Sequence, residues 1–211
     1  MSVFGVMTGP WDVEQAVLKT LKEWLPAHLL DLEEKHSFKA KELGRPPAPE
    51  SYKGGLDWES VRQEYLPAII AHASPVGEPE RTMNAYNQAF EVQVGCVIYS
   101  AQSEEPEAIA RRNAGMFATA CMGVLVQHGK LALPAEEEIV LTASPMVEFF
   151  DPERRDIAVG VTGWRCYCEI VDPNAGPGTL KEVEPEGPYP EYEEVETHTV
   201  TVVGTPVETP L

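Results

Sequence analysis

The sequence has few basic residues. It contains 16 Lys and Arg against 34 Asp and Glu in 211 residues, which gives a formal net charge of −18. A surface this acidic repels phosphate, which argues against nucleic-acid binding through a basic patch. The same charge leaves open a basic partner, or a passage through which DNA slides without being held.

Long hydrophobic runs and targeting signals are also missing. No apolar stretch approaches the roughly 20 residues that span a bilayer. Residues 1–10 have neither a basic region nor a long apolar run, so no signal peptide is predicted. We therefore expect the protein to be assembled in the cytoplasm and not to associate with a membrane. The 43% of hydrophobic residues suffices for a packed core and excludes a wholly disordered chain.

Cysteine is scarce, with Cys96, Cys121, Cys166 and Cys168 in the whole chain. A secreted disulfide scaffold is shorter and richer in cysteine. Cys166 and Cys168 would face one side of a strand, but no second pair of Cys or His follows at the spacing of a zinc site. The sequence therefore predicts reduced core cysteines, with no metal and no cofactor.

Motifs of catalysis are absent as well. The sequence contains no Walker-type phosphate loop, no dinucleotide fingerprint, no HExxH pair and no GxSxG elbow. Its five histidines lie far apart in the chain. A catalytic triad assembled in space stays open, because spatial neighbours are invisible in a sequence. We expect a protein that is not an enzyme, with a small-molecule hydrolase built from dispersed residues as an alternative.

Two amphipathic helices are predicted. The first begins at Asp12 as its N-cap and has apolar residues at helical spacing as far as Leu25. Pro26 is expected to kink or end it, because proline removes a hydrogen-bond donor and clashes with the preceding turn. The second helix spans residues 107–126, with Ser103 as its cap and Gly129 as its stop.

Four strands are predicted, at residues 66–72, 86–100, 139–150 and 157–171. A loop through residues 74–81 separates the first two. The second strand alternates apolar and other residues, and its fifteen residues would span about 50 Å. That exceeds the usual strand of roughly five or six residues, so part of it is expected to project beyond its own domain. In the last strand the alternation slips near Gly163, which predicts a bulge.

The predicted order helix-strand-strand-helix-strand-strand indicates an α+β fold. We expect a mainly antiparallel sheet with the two helices packed on one face, formed by a core domain of residues 1–178. Residues 179–211 have one lysine against eight glutamates and are rich in proline. They predict an acidic C-terminal extension, in which residues 197–203 add a strand to a sheet edge of the same or a neighbouring subunit.

Charged clusters supply the remaining candidate sites. Glu107 stands four residues before Arg111 and offers it a local partner, whereas Arg112 has no carboxylate at that spacing. A salt bridge between subunits is therefore the alternative for Arg112. The candidate subunit-interface residues are Arg111, Arg112, Arg154, Arg155, Thr199, Val200, Thr201 and Val202. The acidic cluster Glu136, Glu137 and Glu138 is either a solvated loop or a pore lining.

The elements together resemble a known family over residues 10–173. The features that carry the resemblance are Asp12-Val13-Glu14-Gln15-Ala16-Val17, Leu66-Pro67-Ala68-Ile69-Ile70, the strand 90–99, the helix 107–126 with Arg111-Arg112, and the strand 159–170. In this order they resemble the tail terminator (tail completion) proteins of long-tailed bacteriophages, which lie at the head-to-tail junction. The acidic extension has no place in that pattern.

The resemblance implies a structural virion protein and not an enzyme. Proteins of that family form a ring, usually a hexamer, that caps the tail tube, stops its polymerisation and joins it to the head connector. The implied partners are further copies of the chain, the tail-tube protein, head-side connector proteins, and genomic DNA that passes through the lumen without specific binding. The alternatives are another neck or tail component, such as a head-tail adaptor or a tail-tube subunit, and an acidic binding module that mimics DNA.

Overall fold

A computed structural model describes residues 8–39, 42–55, 61–81, 86–100, 105–131, 133, 139–151 and 154–171. The chain divides into two units, Met1–Pro177 and Gly178–Leu211, and the described residues belong to the first. The acidic extension, the cluster Glu136 to Glu138 and the interface candidates Thr199 to Val202 lie outside the described residues.

The fold is α+β, as predicted, with two helices and one five-stranded sheet. The helices are α1 (Pro10–Lys35) and α2 (Pro106–Gln127). The strands are β1 (Tyr52–Gly54), β2 (Ala68–Arg81), β3 (Tyr86–Tyr99), β4 (Val140–Asp151) and β5 (Arg154–Val171). Their order in the sheet is β1-β2-β3-β5-β4. The sheet is mixed, because β1 pairs with β2 in parallel while the other pairs are antiparallel.

Strand β1 was missing from the predicted order of elements. It lies in a segment rich in proline and glycine, and its three residues are too few to show an alternation. The chain before it is held to α1 by Glu33, whose carboxylate binds Arg45 (Nη2–Oε2 2.8 Å) and accepts the Leu43 N–H at 3.0 Å. This charge-assisted contact is buried on the Glu33 side, so it fixes the chain before β1 against α1.

Helix α1 begins two residues before the predicted cap. Gly9 is its N-cap, and Asp12 lies in the first turn, where its carboxylate accepts the Gly9 N–H at 2.8 Å. The helix does not end at Pro26, which was one of the two outcomes predicted there, but continues to Lys35. Leu25 and Leu29, on either side of the proline, are both fully buried. Their packing on the sheet offsets the hydrogen bond that Pro26 removes.

The core lies between the helices and one face of the sheet, here called the inner face. The predicted alternation in β3 is confirmed, because its five apolar residues on this face are all buried. They are Phe90, Val92, Val94, Cys96 and Ile98. The inner residues of α2 include several alanines, which allow the helix to approach the strands closely.

A bulge was predicted near Gly163 in β5, and the irregularity found there lies in β4 instead. The register of β4 against β5 shifts on both sides of the pair Ala143–Gly163. The pairing of β3 with β5 runs without a shift from Asn87–Glu169 to Tyr99–Ile157, so the even-numbered residues of β5 from Ala158 to Cys168 face the helices. The apparent slip comes from the inner residues Gly160 and Thr162. A Cβ at Gly160 would overlap the carbonyl oxygen of Ala114, and the Thr162 hydroxyl accepts the Trp164 indole N–H at 2.9 Å.

Strand β2 is longer than predicted, because it continues through the segment that the sequence indicated to be a loop. It pairs with β3 as far as Arg81, with an irregularity between Val76 and Glu80. The Gln88 side-chain amide donates a hydrogen bond to the Val76 carbonyl at 2.9 Å and supports the chain there. Long-range pairing with β3 thus overrides the local turn preference of the prolines.

The opposite face of the sheet, here called the outer face, has a second and smaller apolar cluster. Ile70, Val97 and Val159 are buried in it. Val61 and Leu66, from the segment before β2, pack against this cluster together with Ile157 and Val161. No described helix packs on this face.

Candidate functional site

One end of the sheet extends past the start of β4. We call it the distal sheet; it consists of residues 74–81 of β2, 86–91 of β3 and 166–171 of β5. Strand β3 lies in its middle, so β2 and β5 form its two edges. An edge strand presents unpaired backbone N–H and C=O groups, which makes it a template for pairing with another chain.

The β2 edge of the distal sheet is protected. Next to it, where β1 has ended, the Glu14 carboxylate takes the place of a neighbouring strand and accepts the Ala73 N–H at 3.0 Å. Further along, β2 contains Pro75 and Pro79, together with exposed glutamates. Prolines and charges are the devices by which natural sheets prevent pairing at an edge.

The β5 side of the distal sheet has a different composition. Strand β4 begins with Val140 opposite Arg165, so the pairing of β4 with β5 does not extend to residues 166–171. This stretch contains no proline and is rich in residues that favour strands. The Tyr167 side chain is 37% exposed. The β5 edge therefore lacks the prolines that protect the β2 edge.

The outer face along β4 and β5 is partly apolar. Met146 of β4 is 51% exposed, and Ile157 and Val161 of β5 are half-buried. A shallow cavity of about 650 Å³ lies here between β3, β5 and β4. Arg165 lines it, and its Nε atom is buried with no hydrogen-bond partner among the described residues.

The predicted interface arginines are not part of the distal sheet. Arg154 and Arg155 are the first residues of β5, at the opposite end of that strand. Arg111 is exposed on α2. Its neighbour Arg112 finds a carboxylate within the chain, since its Nη2 lies 3.0 Å from Glu42 Oε1. A role of the four arginines between subunits stays a prediction.

The surroundings of Arg112 fix the segment that follows α1. The guanidinium lies over the Phe38 ring, 4.7 Å from its centre, in a cation–π contact. The Lys39 backbone N–H, which donates to Glu42 at 2.9 Å, is the largest cause that lowers the pKa of Glu42, and Arg112 adds to it. These contacts give Arg112 a structural role within one copy of the chain.

The four cysteines are free and buried, which confirms the prediction of reduced core thiols. The Sγ atoms of Cys96 and Cys121 lie 3.4 Å apart. The hydrogen bond with Cys121 and burial raise the pKa of the Cys96 thiol. Burial also raises the pKa of the nearby Tyr52 hydroxyl, to about 12. The raised pKa keeps the Cys96 thiol protonated at neutral pH, which disfavours nucleophilic chemistry at this residue.

The described residues include neither a metal-binding group nor a membrane-spanning helix. No group of three or more His, Cys, Asp and Glu side chains in the described ranges is placed to hold a metal ion. None of the described helices is both long and apolar enough to cross a membrane.

Comparison with known proteins gives no family assignment. No model of a protein family matches the chain, and no curated protein sequence matches it.

The protected β2 edge and the outer face escaped sequence reasoning. The protection depends on where β1 ends and on the contact of Glu14 with β2. Neither can be found from the spacing of residues along the chain.

Proposed function

We propose that the chain is a structural protein of a virion, a tail terminator at the head-to-tail junction. In this proposal, copies of the chain form a ring, a hexamer by the resemblance described above. The ring caps the tail tube, stops its polymerisation and joins it to the head connector. The observation that supports assembly most directly is the partly apolar outer face of the sheet, where Met146 is 51% exposed.

The proposed ring needs a heterologous contact. A ring joins two different surfaces of successive copies, whereas a two-fold dimer uses the same surface of both copies. In the proposal, the partly apolar outer face is one of these surfaces. A second, different surface on the next copy completes the contact, which closes into a ring when the rotation between copies allows it.

The charge of the chain supports passage of DNA. With a formal net charge of −18, a lumen lined by this protein would repel phosphates, so DNA would pass without being trapped. In the proposal, Glu136, Glu137 and Glu138 contribute to that lining, and Thr199 to Val202 contribute to the contact between subunits.

The second candidate is another neck or tail component, such as a head-tail adaptor or a tail-tube subunit. It would assemble through the same surface, so the geometry of one copy does not distinguish this function from that of a terminator. Copy number in the particle separates them, because a tube subunit is present in many stacked rings and a terminator in one.

Negative-stain microscopy and light scattering of the purified protein test the proposal. We expect rings with a central hole, either from the protein alone or on the ends of tail tubes. A protein that stays strictly monomeric, even when it is mixed with tube ends, contradicts the proposal.

Tyr167→Lys tests whether β5 takes part in the contact between copies. A lysine on an edge strand opposes pairing with another chain, so we expect this variant to lose rings while its circular dichroism stays unchanged. Leu30→Lys is the matched control, because Leu30 is 46% exposed on α1 and lies outside the distal sheet. Equal assembly of both variants and the parent protein would show that β5 does not form the contact.

A further inference from the structure

A groove of about 940 Å³ lies between the two helices and the start of β4, away from the outer face. One wall is the stretch of α1 from Lys19 to Trp24, and another is the end of α2 with the residues that follow it. The first residues of β4 and the buried Trp164 complete it. Its size is in the range of ligand-binding pockets, and it is open on one side.

The rim of the groove is unusually apolar for a protein surface. Four of the large hydrophobic side chains that the described part of the chain exposes line it, and they are exposed by between 37% and 65%. They are Trp24, Val126, Val140 and Leu141. Apolar side chains gathered in this way around a concave surface mark an interaction site, whereas single ones do not.

The aromatic wall of the groove is held in place before anything binds. The Trp24 ring stacks on the His128 ring, with centroids 4.1 Å apart and planes 7° from parallel. His28 meets the same imidazole edge-on, at 6.3 Å. An aromatic surface that is already ordered loses little conformational entropy on binding.

Backbone groups are also open at the groove. Strand β4 is the last strand of the sheet, and among the described strands it pairs with β5 alone. Val140 and Leu141, which line the groove, are the first two residues of β4. An extended peptide that adds to the edge of β4 would therefore place alternate side chains in the groove.

The described charges at the groove differ in sign from those of the chain as a whole. Among the described residues that line it, Lys19 and Lys130 stand against one carboxylate, Glu23. All three are exposed, and no ion pair within the described residues engages them. In a chain with 34 acidic and 16 basic residues, this local excess of cations favours an acidic ligand.

We propose that this groove binds an extended acidic peptide of a partner protein that carries an apolar side chain. The peptide backbone adds to the edge of β4, and its apolar side chain lies against Trp24 and Val126. Its carboxylates contact Lys19 and Lys130. This interaction does not require the ring of the proposed function, since every residue of the groove belongs to one copy of the chain.

The probe is a fluorescein-labelled peptide of about eight residues, the length of an ordinary strand, in which Val alternates with Glu. Its anisotropy is measured with the full-length protein. Two control peptides replace every Glu by Lys or every Val by Ser. We expect the Val–Glu peptide alone to bind, because the site needs both the charge and the apolar side chain. Equal binding of either control peptide would overturn the proposal, as would no binding of the Val–Glu peptide below about 1 mM.

Two charge reversals on the same helix locate the site. Lys19→Glu places a carboxylate in the groove and is expected to weaken binding about tenfold. Lys22→Glu makes the same change in net charge on α1 but at a residue that does not line the groove. Equal weakening by both would indicate attraction to the whole protein and refute the groove. Binding that fails while rings still form would leave the proposed function intact, and loss of rings with binding retained would leave the groove intact.

Discussion

The two faces of the sheet are built from the same strands but meet different surroundings. On the inner face, side chains such as Phe90 and Trp164 are buried beneath α1 and α2. On the outer face, Ile70, Val97 and Val159 are buried by a short segment, while Met146 is 51% exposed. The inner face is therefore fully buried within one copy of the chain, whereas part of the outer face is accessible to a partner.

The comparison shows where stability and association reside. Burial of apolar side chains under the helices contributes most of the free energy of folding, so changes there should act on stability. Changes on the outer face remove little buried surface within one copy and should act on assembly instead. Substitutions on the two faces test this division.

The largest effect is expected for Gly160→Ala, where β5 meets α2 on the inner face. A methyl group there overlaps the Ala114 carbonyl oxygen, and backbone cannot move aside as a flexible side chain can. We expect a loss of about 3 kcal/mol in the free energy of unfolding, measured by urea denaturation.

Gly115→Ala is the control for that substitution. It adds the same methyl group to α2 at a position where the nearest atom, Val147 Cγ2, is 3.5 Å away. Alanine favours a helix over glycine, so stability should rise by about 0.5 kcal/mol. If Gly160→Ala were as harmless as Gly115→Ala, the close approach of α2 to β5 would be wrong.

A smaller effect is expected from one change made on each face. Val94→Thr places a hydroxyl in the inner core, where Val94 is 1% exposed, and should cost about 2 kcal/mol. Val161→Thr makes the same change at a half-buried position on the outer face and should cost less than about 0.5 kcal/mol. Denaturation measures the first difference, and light scattering should show weaker assembly for Val161→Thr alone. Equal costs for the two would remove the distinction between the faces.

The smallest effect concerns pH and the Tyr52 hydroxyl beside Cys96 and Cys121. Burial raises the Tyr52 pKa from 10.0 to about 12, so the folded chain keeps this proton more tightly than the unfolded chain. The stability that this difference contributes is complete below pH 10.0 and is lost as the pH rises towards about 12. Tyr52→Phe should therefore lose less stability than the parent protein over that interval in denaturation curves. Tyr65→Phe, in the 3-10 helix before β2, is the control. If the stability of Tyr52→Phe declined in parallel with that of the parent protein, Tyr52 would not be buried as described.

How far the sequence predicts the fold depends on the source of each signal. The alternation in β3 and the apolar face of α2 follow from periodicity, and the structure has both elements close to their predicted positions. The predicted end of α1 at Pro26 and the predicted loop at residues 74–81 were wrong for the same reason. In both segments a local breaker was outweighed by contacts between residues that are distant in the sequence. For Gly160 the smallness of the side chain hid its inward direction, so a regular strand was interpreted as a bulged one.

The candidate surfaces show the same limit. Arg112 has no partner on its own helix, and its carboxylate comes from Glu42, seventy residues away in the sequence. The groove combines residues of α1, α2 and β4, none of which forms a motif with its neighbours in the chain. The sequence pointed to the acidic character of the protein and to an excess of strand length, which are sums over residues and need no coordinates.

The sequence by itself determined the fold class, the presence of two helices and the burial of the four cysteines, because hydrophobic periodicity records which side of an element faces a core. Tertiary structure alone decided which edge of the distal sheet is protected and which of the described cations line the groove. Those features arise where separate elements end beside one another. The end of β1 next to Glu14 and the start of β4 opposite Arg165 are set by pairing between strands, and pairing joins residues whose distance along the chain carries no signal.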